Sequence, residues 1–385
     1  MTAHGPLHGV RVIELAGIGP GPYAAMLLAD MGAEVVRVER PGPPVSAVPP
    51  ELDVLRRNRR SIVVDLRHPD GVRTVLSMAG RADVLLEGFR PGVTERLGLG
   101  PADCWSVNPR LVYGRMTGWG QTGPLAPAAG HDIGYIAVTG ALGAIGRAGE
   151  APVPPVNLVG DFGGGSTFLV IGVLAALWES ARSGQGQVVD AAIVDGTSSL
   201  TALLHGLMAA GQWTDGRGVN FLDTGVPWYD TYQTADGQSM AVGALEPKFY
   251  AEFARLLGLS DDVAALRADS SEWVRLREAI ADAFASRTRS EWTAVFDGTD
   301  ACVAPVLSLT EASGHPHLAA RETFVDVAGV VQPAPAPRFS RTVAPRPTPP
   351  PAVGADTADV LRDWGVDDVD ALIAAGVVHT NGGAG

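Results

Sequence analysis

Short β-branched runs alternate with helical patterns along the first 120 residues of the chain. The runs that predict strands are residues 9–15, 33–39, 61–66, 83–89 and 111–116, with a further one at 188–193. Apolar positions between them recur at helical spacing, as in residues 22–31, 131–145 and 163–182. Strands alternating with helices are typical of right-handed βαβ units, so the pattern predicts an α/β fold with a parallel sheet.

A different pattern follows residue 210. Residues 211–226 are rich in Gly, Asp and Asn and predict a linker. Residues 231–241 alternate on both sides of Asp236-Gly237, which indicates a β-hairpin, and amphipathic helices are predicted between 247 and 296. Prolines dominate residues 332–351, and two short helices are predicted at 356–365 and 366–376. We therefore expect a second, small α+β domain after the linker.

Composition narrows the class of protein. With 29 basic and 42 acidic residues the net charge is −13, which argues against non-specific nucleic-acid binding. The longest apolar run, residues 168–178, is shorter than the ~18–20 residues that span a bilayer, so no membrane association is expected. Two cysteines are too few for a disulfide framework or metal cluster, and we expect a cytoplasmic protein. The terminal Gly-Gly-Ala-Gly does not match a peroxisomal address.

A glycine-rich turn, Gly17-Ile-Gly-Pro-Gly-Pro22, follows the first strand, and Glu39 ends the next one. This resembles a dinucleotide-binding fingerprint. However, Pro22 occupies the position of the third glycine, where close helix packing requires a residue without a side chain. The backbone amides of a helix N-terminus would still stabilise an anion. The turn thus disfavours NAD and leaves two interpretations open: a CoA or nucleotide contact, or simply a tight turn.

Arginines are concentrated around these strands. They are Arg37, Arg40, Arg56, Arg57, Arg59, Arg60, Arg67, Arg90 and Arg96. In an acidic protein this local excess favours a phosphate-bearing ligand, because guanidinium groups bind phosphate bidentately. For any single arginine, a solvated basic surface remains the alternative.

Two residues are candidates for acid–base chemistry, and each has a purely structural alternative. His131 opens a predicted helix, where a cap or a core residue is the alternative, and the helix dipole disfavours added positive charge on the imidazole. Asp161 precedes three glycines, residues 163–165, which destabilise a helix by roughly 1 kcal/mol each. They would be explained if a thioester lay against this backbone, although Asp161 is also a favoured N-cap. Glu246 precedes Pro247 at a predicted helix start, where capping alone accounts for many acidic residues.

Together these segments resemble the family III CoA transferases and, within them, the α-methylacyl-CoA racemases. The resemblance covers nearly the whole chain and rests on long segments: residues 11–42, 56–67, 89–101, 115–124, 130–135 (GHDIGY), 155–165 (PVNLVGDFGGG), 184–196, 241–250 (AVGALEPKFY) and 299–307. One departure is Gly134, where racemases often carry asparagine.

The resemblance implies an interlocked homodimer with the active site between the large domain of one subunit and the small domain of the other. The implied division is a Rossmann-like CoA-binding domain (1–210), a linker (211–226), a small α+β domain (227–320) and a C-terminal segment (321–385) that returns to the large domain. The implied substrate is an acyl-CoA, with no cofactor beyond its CoA moiety, and the implied setting is lipid and fatty acid metabolism.

The resemblance also assigns site residues. His131 and Asp161 match the acid/base pair, and Asp132 and Glu246 match supporting carboxylates. The implied contacts to CoA and the thioester are Ile18, Arg40, Val64, Asp65, Leu66, Arg67, Arg90, Arg96, Gly130 and Tyr135. Trp119 is interpreted as a packing residue. The same holds for Tyr135, except for the contact to CoA or the thioester that the resemblance implies.

Three activities fit these residues. The favoured one is 1,1-proton transfer through an enolate, stabilised by amides near Asp161 and the glycine-rich turn. In transferases the aspartate at the position of Asp161 is instead a nucleophile that accepts the acyl group. The His131-Asp132 pair and the Leu-Glu-Pro segment at 245–247 favour a racemase. A non-catalytic acyl-CoA-binding protein is the third interpretation, and the acyl group itself stays open.

Overall fold

The computed structural model describes residues 4–43 and 48–380, so the terminal glycines discussed above lie outside the described residues. The described strands are β1 (Arg11–Leu15), β2 (Glu34–Glu39), β3 (Arg59–Val64), β4 (Val84–Glu87), β5 (Val112–Thr117), β6 (Val188–Ala192), β7 (Tyr229–Gln233), β8 (Ser239–Gly243), β9 (Val303–Pro305), β10 (Phe324–Val327), β11 (Val330–Pro333) and β12 (Val378–His379).

The α-helices are α1 (Pro20–Asp30), α2 (Pro69–Ala79), α3 (Val93–Leu97), α4 (Pro101–Val107), α5 (Asp132–Val138), α6 (Ala141–Ala144), α7 (Thr167–Ser183), α8 (Ile193–Leu200), α9 (Ala202–Ala209), α10 (Pro247–Leu257), α11 (Asp261–Ala264), α12 (Trp273–Ala285), α13 (Arg289–Phe296), α14 (Leu309–Ala312), α15 (Pro316–Ala320), α16 (Thr357–Asp363) and α17 (Val369–Ala374). A π-helical segment, Leu158–Ser166, leads directly into α7. Short 3₁₀ turns occur at Pro50–Leu52, Val54–Arg56, Ala265–Ala268 and Ser270–Glu272.

The described chain forms two compact units, and the first is built on a seven-stranded sheet. This unit comprises Met1–Thr139, Val156–Leu200 and Ala319–Gly385. Its strand order is β12-β3-β2-β1-β4-β5-β6, and the pairs from β3 to β6 are all parallel. Six strands in this order are the Rossmann arrangement. The predicted α/β class is confirmed, with one difference: the edge strand β12 is antiparallel and, at two residues, too short to be read from periodicity.

Both faces of this sheet are buried, which explains why its strands are apolar at consecutive positions. On one face Val12 and Val35 pack with Leu28 of α1. On the other face Ile13 and Ile62 pack against residues of α2 and of the C-terminal helices. The indole of Trp364 is fully buried there and donates a 2.9 Å hydrogen bond from Nε1 to Glu34. The C-terminal segment is therefore part of the core of this unit.

The helical stretch Leu158–Ser183 is, within the described ranges, long and apolar enough to span a membrane by length and composition. The expectation that no segment reaches that length was wrong by this criterion, because the run is extended on its N-terminal side by glycine and serine, which are only weakly polar. One such helix is weak evidence for a membrane span, since the core helix of a globular unit has the same properties. Here α7 buries Leu169, Val170 and Val173.

The second unit comprises Gly140–Pro155 and Thr201–Leu318. Its antiparallel sheet has the order β7-β8-β9, and β7 and β8 form the hairpin predicted around Asp236-Gly237. The aromatic rings of Phe253, Phe284 and Trp292 form much of its core.

The boundaries of the units differ from those expected from the sequence. Residues 140–155 and 201–210 group with the second unit, whereas the predicted large domain ran unbroken to residue 210. Segment 140–155 is held there by Arg147, whose guanidinium bonds the Asp230 carboxylate at 2.8 Å, and by Arg217, which bonds the Gly143 carbonyl at 2.8 Å. Such long-range pairs leave no trace in local periodicity.

Candidate active site

A pocket of about 460 Å³ opens in the first unit at the carboxyl ends of the parallel strands. It is lined by the turn after β1 (17–22), the end of β4 and the segment after it (86–91), the end of β5 with the residues after it (116–119), and residues 126–131 with Tyr135, Asp161 and Ile193. The position between β1 and β4 is where the strand order reverses. In open α/β sheets ligands bind at this switch point, so the fold itself favours this pocket as the site.

The glycine-rich turn contributes fewer backbone donors than the sequence suggested. Helix α1 begins at Pro20, after Gly19 with a φ of +68°. Proline has no amide hydrogen, so Pro20 and Pro22 remove two of the first three donors and Gly21 supplies the remaining one. An anion bound at this helix end would therefore meet the Gly21 amide rather than a full ring of amides.

His131 and Asp161, separated by thirty positions in the chain, line the same pocket. His131 is the exposed residue that precedes α5, and Asp161 lies in the π-helical segment. The Asp161 carboxylate faces the glycine-rich turn, since a Cβ on Gly19 would lie 3.5 Å from its Oδ2 atom. The predicted acid/base candidates of this unit are thus brought together at one cavity.

Asp132 holds the backbone that carries Asp161. Its buried carboxylate accepts a hydrogen bond from the Asp161 amide, with 2.6 Å between N and Oδ1. Gly160 permits this approach, because a Cβ there would lie 2.9 Å from Cγ of Asp132 and 2.8 Å from Cγ2 of Ile136. The Asp161 amide is consequently engaged, and it is not among the donors available to an enolate oxygen.

The environment of Asp161 favours its protonated form. Burial raises the pKa of this carboxyl above its ordinary value, and the negative charge of Asp132 acts in the same direction. The amide of Asn157, 3.4 Å from Oδ2, and the nearby His131 oppose the shift but do not cancel it. A raised pKa increases the protonated fraction of this carboxyl, and the protonated form is the one that can deliver a proton to a bound substrate.

Helix packing accounts for two of the three glycines that follow Asp161. A Cβ on Gly164 would lie 2.7 Å from the amide nitrogen of Thr197, and one on Gly196 would lie 2.7 Å from the carbonyl carbon of Gly164. A Cβ on Gly165 would lie 3.0 Å from Cγ1 of Ile193. Helix α8 therefore contacts this backbone directly, and Gly164 and Gly165 are required there without a bound thioester.

Tyr135 forms one wall of the pocket. Its ring lies against the backbones of Gly118 and Gly130, where added Cβ atoms would come within 2.6 and 3.0 Å of ring atoms. It also meets Trp119 edge to face, with ring centroids 4.8 Å apart. Burial and the proximity of Asp161 raise the pKa of the Tyr135 hydroxyl, while Arg90 lowers it.

The residues expected to contact CoA fall into three groups. Ile18, Arg90, Gly130 and Tyr135 line the pocket. Arg40 directly follows β2, and residues 65–67 (Asp65, Leu66 and Arg67) directly follow β3. These four residues therefore lie at the carboxyl ends of the parallel strands, as the pocket does. Arg40 and Arg67 are exposed. Arg96 is exposed on α3. Val64 is the exception, because its side chain is fully buried in the sheet core and cannot contact a ligand.

Four arginines of the predicted phosphate-binding cluster are structural. Arg37 and Arg59 pair with Glu14, Arg56 pairs with Glu39, and Arg57 bonds Asp30 at 2.5 Å; all of these residues are at most 6% exposed. Although burial works to raise the pKa of Glu14, Arg37 and Arg59 hold it below its ordinary value. Inward-facing carboxylates on β1, β2 and α1 thus account for this part of the cluster.

Glu87, which was not among the residues predicted from the sequence, lies at the carboxyl end of β4 and lines the pocket. Burial raises the pKa of Glu87 to about 7, and Glu95 and Asp190 add to this, while the Phe89 amide and Arg115 oppose it. A carboxylate ending the apolar strand Val84–Glu87 was the signal that could have identified it.

Glu246, the remaining predicted carboxylate, belongs to the second unit. It is exposed and directly precedes α10, and its side chain makes no capping hydrogen bond to that helix. Capping therefore does not explain it, and its catalytic role stays a prediction. Among the described residues no group of three His, Cys, Asp or Glu side chains is arranged to hold a metal ion.

Comparisons of sequence and structure relate the chain to known proteins. Residues 7–357 match the model of CoA-transferase family III. The chain is 47% identical over 368 residues to alpha-methylacyl-CoA racemase of Mus musculus, covering 95% of each chain, and 44% identical to that of Homo sapiens, covering 93% of each. The crystal structure of a CaiB/BaiF family protein from Brucella suis superposes with a TM-score of 0.81 at 26% identity, covering 94% of this chain and 100% of that one.

Proposed function

This chain belongs to CoA-transferase family III, and on that premise we propose that it interconverts the (R) and (S) forms of 2-methylacyl-CoA thioesters. The similarity to two mammalian racemases over more than nine-tenths of the chain supports racemisation. The observation that carries the proposal is the pair formed by His131 and Asp161 at one cavity of the Rossmann-like unit. Inversion of one carbon requires an acid and a base that reach it from opposite faces.

The chemistry is a proton exchange at the carbon next to the thioester. The neutral imidazole of His131 removes the α-proton from the (S) epimer, which leaves an enolate. The protonated carboxyl of Asp161 then gives its proton to the opposite face of the same carbon, which yields the (R) epimer. The products are an imidazolium and a carboxylate, and proton exchange with water restores the starting forms. In the reverse direction the two residues exchange roles, and the raised pKa of Asp161 supports its role as the acid.

The enolate oxygen requires hydrogen-bond donors in the pocket. The Asp161 amide is occupied by Asp132. The Gly21 amide at the N-terminus of α1 has no partner within that helix, and the Tyr135 hydroxyl belongs to the pocket wall. We assign the stabilisation of the enolate to these two groups.

The wider proposal follows the family. The CoA moiety of the substrate is the only cofactor expected, Arg40, Arg67, Arg90 and Arg96 bind its anionic end, and the protein works as a cytoplasmic homodimer without association with membranes. The competing activity is acyl transfer through a covalent Asp161 intermediate.

One experiment separates the two activities. One pure epimer of a 2-methylacyl-CoA is incubated with the protein in deuterated water, without any acceptor acid, and analysed by mass spectrometry and chiral chromatography. A racemase incorporates one α-deuterium and loses optical purity at the same time. A protein that only transfers acyl groups leaves both the label and the optical purity unchanged, and that result would overturn the proposal.

A further inference from the structure

A loop and a short helix carry two exposed arginines beside the pocket. We name residues 88–97, which connect the end of β4 to the end of α3, the arginine arm. Arg90 lines the pocket itself. Arg96 lies six residues further along the chain, near the end of α3. Its side chain folds back toward the start of α3, since a Cβ on Gly92 would lie 3.1 Å from one of its guanidinium nitrogens. Helix α3 has only five residues, between Gly92 and Gly98 in left-handed conformations, so it needs support from outside.

Arg115 provides that support from the adjacent strand β5. Its buried guanidinium contacts the arm at α3, where it pairs with Glu95 and lies 3.3 Å from the Thr94 hydroxyl. It also reaches Glu87 on β4, at 3.4 Å, and Gln121, at 2.8 Å. Glu87 in turn accepts a 2.7 Å hydrogen bond from the Phe89 amide at the start of the arm. Arg115 thus links the arm to the sheet directly at α3 and, through Glu87, at the start of the arm.

We propose that Arg115 is a positioning residue that holds Arg90 and Arg96 ready to bind the anionic end of acyl-CoA. This inference rests on the proposed function, because that function supplies the ligand. A loop held at both ends loses less conformational freedom when its arginines close on phosphate groups, so affinity rises without any new contact. The near-neutral pKa of Glu87 agrees with a carboxylate that is only partly compensated by Arg115.

The structure provides a mild variant to test this link. Glu95 is 45% exposed, so Glu95→Gln removes the charge of the ion pair to α3 and leaves only a neutral hydrogen-bond acceptor, while the buried pair of Arg115 and Glu87 stays in place. The positioning role predicts that Glu95→Gln weakens CoA binding. If only the net charge mattered, the variant would bind CoA more tightly, because removal of a negative charge should strengthen the binding of an anion. Glu278→Gln, at an exposed position of α12 in the second unit, removes the same charge and is the matched control. Arg115→Lys keeps the charge but loses the planar guanidinium.

Calorimetry measures the dissociation constants of CoA and of pantetheine, which lacks the nucleotide and its phosphates. For Glu95→Gln and Arg115→Lys we expect the dissociation constant of CoA to rise about tenfold, as for the loss of one charge-assisted contact. Pantetheine binding should stay unchanged. In turnover, the KM for the acyl-CoA should rise by the same factor, whereas kcat should stay at the wild-type value. The kinetics with an N-acetylcysteamine thioester, which lacks the nucleotide and its phosphates, should also stay at wild-type values. Glu278→Gln should behave as wild type.

Two results would overturn the inference. One is CoA affinity that is unchanged or stronger in Glu95→Gln. The other is an equal loss for CoA and pantetheine, which would indicate general damage to the pocket. If Arg115→Lys fails to fold, the CoA and pantetheine affinities of Glu95→Gln alone test the inference. Failure of the proposed function is recognised separately, because a wild-type protein that binds CoA without exchanging the α-proton would refute racemisation and leave the positioning result intact.

Discussion

At the scale of single residues, two neighbouring carboxylates have different tasks because their surroundings differ. Asp132 is buried and accepts the backbone amide of Asp161, whereas Asp161 faces the cavity. The charge of the first raises the pKa of the second. Such a division, with one carboxylate that supports and one that exchanges protons, is a common way to raise the pKa of a catalytic acid.

The first prediction concerns the two proton carriers. His131→Ala and Asp161→Asn should each lower the racemisation rate by about 10²–10⁴, the usual effect of removing a general acid or base. Affinity for CoA, measured by calorimetry, should remain close to wild type, since neither residue is assigned to the nucleotide. Nearly normal turnover in either variant would contradict the two-residue mechanism.

The second prediction concerns Asp132. Asp132→Asn keeps an oxygen that accepts the Asp161 amide but removes the negative charge, so the pKa of Asp161 should fall. In the direction that uses Asp161 as the acid, activity is lost as pH rises through that pKa, and the loss should therefore begin at lower pH. In the reverse direction, where Asp161 must be ionised, activity should appear at lower pH. Unchanged pH–rate profiles in both directions would refute the coupling.

At the scale of elements, the site depends on the contact between the π-helical segment Leu158–Ser166 and helix α8. The glycines on both sides allow backbone to meet backbone, and the segment carries Asp161 at its first turn. On its other side Ser166 donates a 2.7 Å hydrogen bond to the Pro20 carbonyl at the start of α1. The position of the catalytic carboxyl is thus a consequence of how three helices pack.

The third prediction tests this packing. Gly164→Ala should lower the free energy of unfolding by about 1–3 kcal/mol, because the new methyl group overlaps with Thr197 and overpacking outweighs the gain in helix propensity. Gly134→Ala is the control in the same unit: it lies in α5 with no atom within 4 Å of an added Cβ, and it should stabilise by up to about 1 kcal/mol. Urea denaturation followed by circular dichroism measures both. Equal stability of the two variants would contradict the packing account.

At the scale of the whole molecule, the predicted active-site residues are distributed over the two units. His131 and Asp161 belong to the first and Glu246 to the second. A carboxylate that pairs with His131 would fix its tautomer and stabilise the imidazolium formed during turnover. Following the family resemblance, we propose that Glu246 of one subunit serves the His131 of the other subunit.

The fourth prediction is complementation between subunits. His131→Ala and Glu246→Ala should each be inactive alone. In a mixed dimer one site carries both changes, while the other combines an intact first unit with an intact second unit. Co-expression with two different affinity tags and tandem purification yields this dimer, whose activity should be about half that of wild type, as for one working site of two. A purified mixed dimer as inactive as its parents would show that Glu246 serves its own subunit.

The sequence by itself determined the α/β class and the approximate positions of β1 to β6 and of the hairpin at Asp236-Gly237. The reason is that hydrophobic periodicity and turn residues are local properties. It also marked His131 and Asp161 as candidates, but their acid/base roles came from the resemblance of the surrounding segments to a known family, because each local context has a structural alternative.

The tertiary structure decided what depends on residues distant in the chain. Four arginines that the sequence offered as ligand candidates lie in core ion pairs, because their carboxylate partners on β1, β2 and α1 point inward. They are Arg37, Arg56, Arg57 and Arg59. Two of the glycines after Asp161 serve helix α8, and segment 140–155 groups with the second unit. Glu87 and Arg115 matter only because β4 and β5 are neighbours in the sheet. Charge and glycine patterns identify which residues have a special task, but burial and partners, set by the packing of distant segments, decide which task it is.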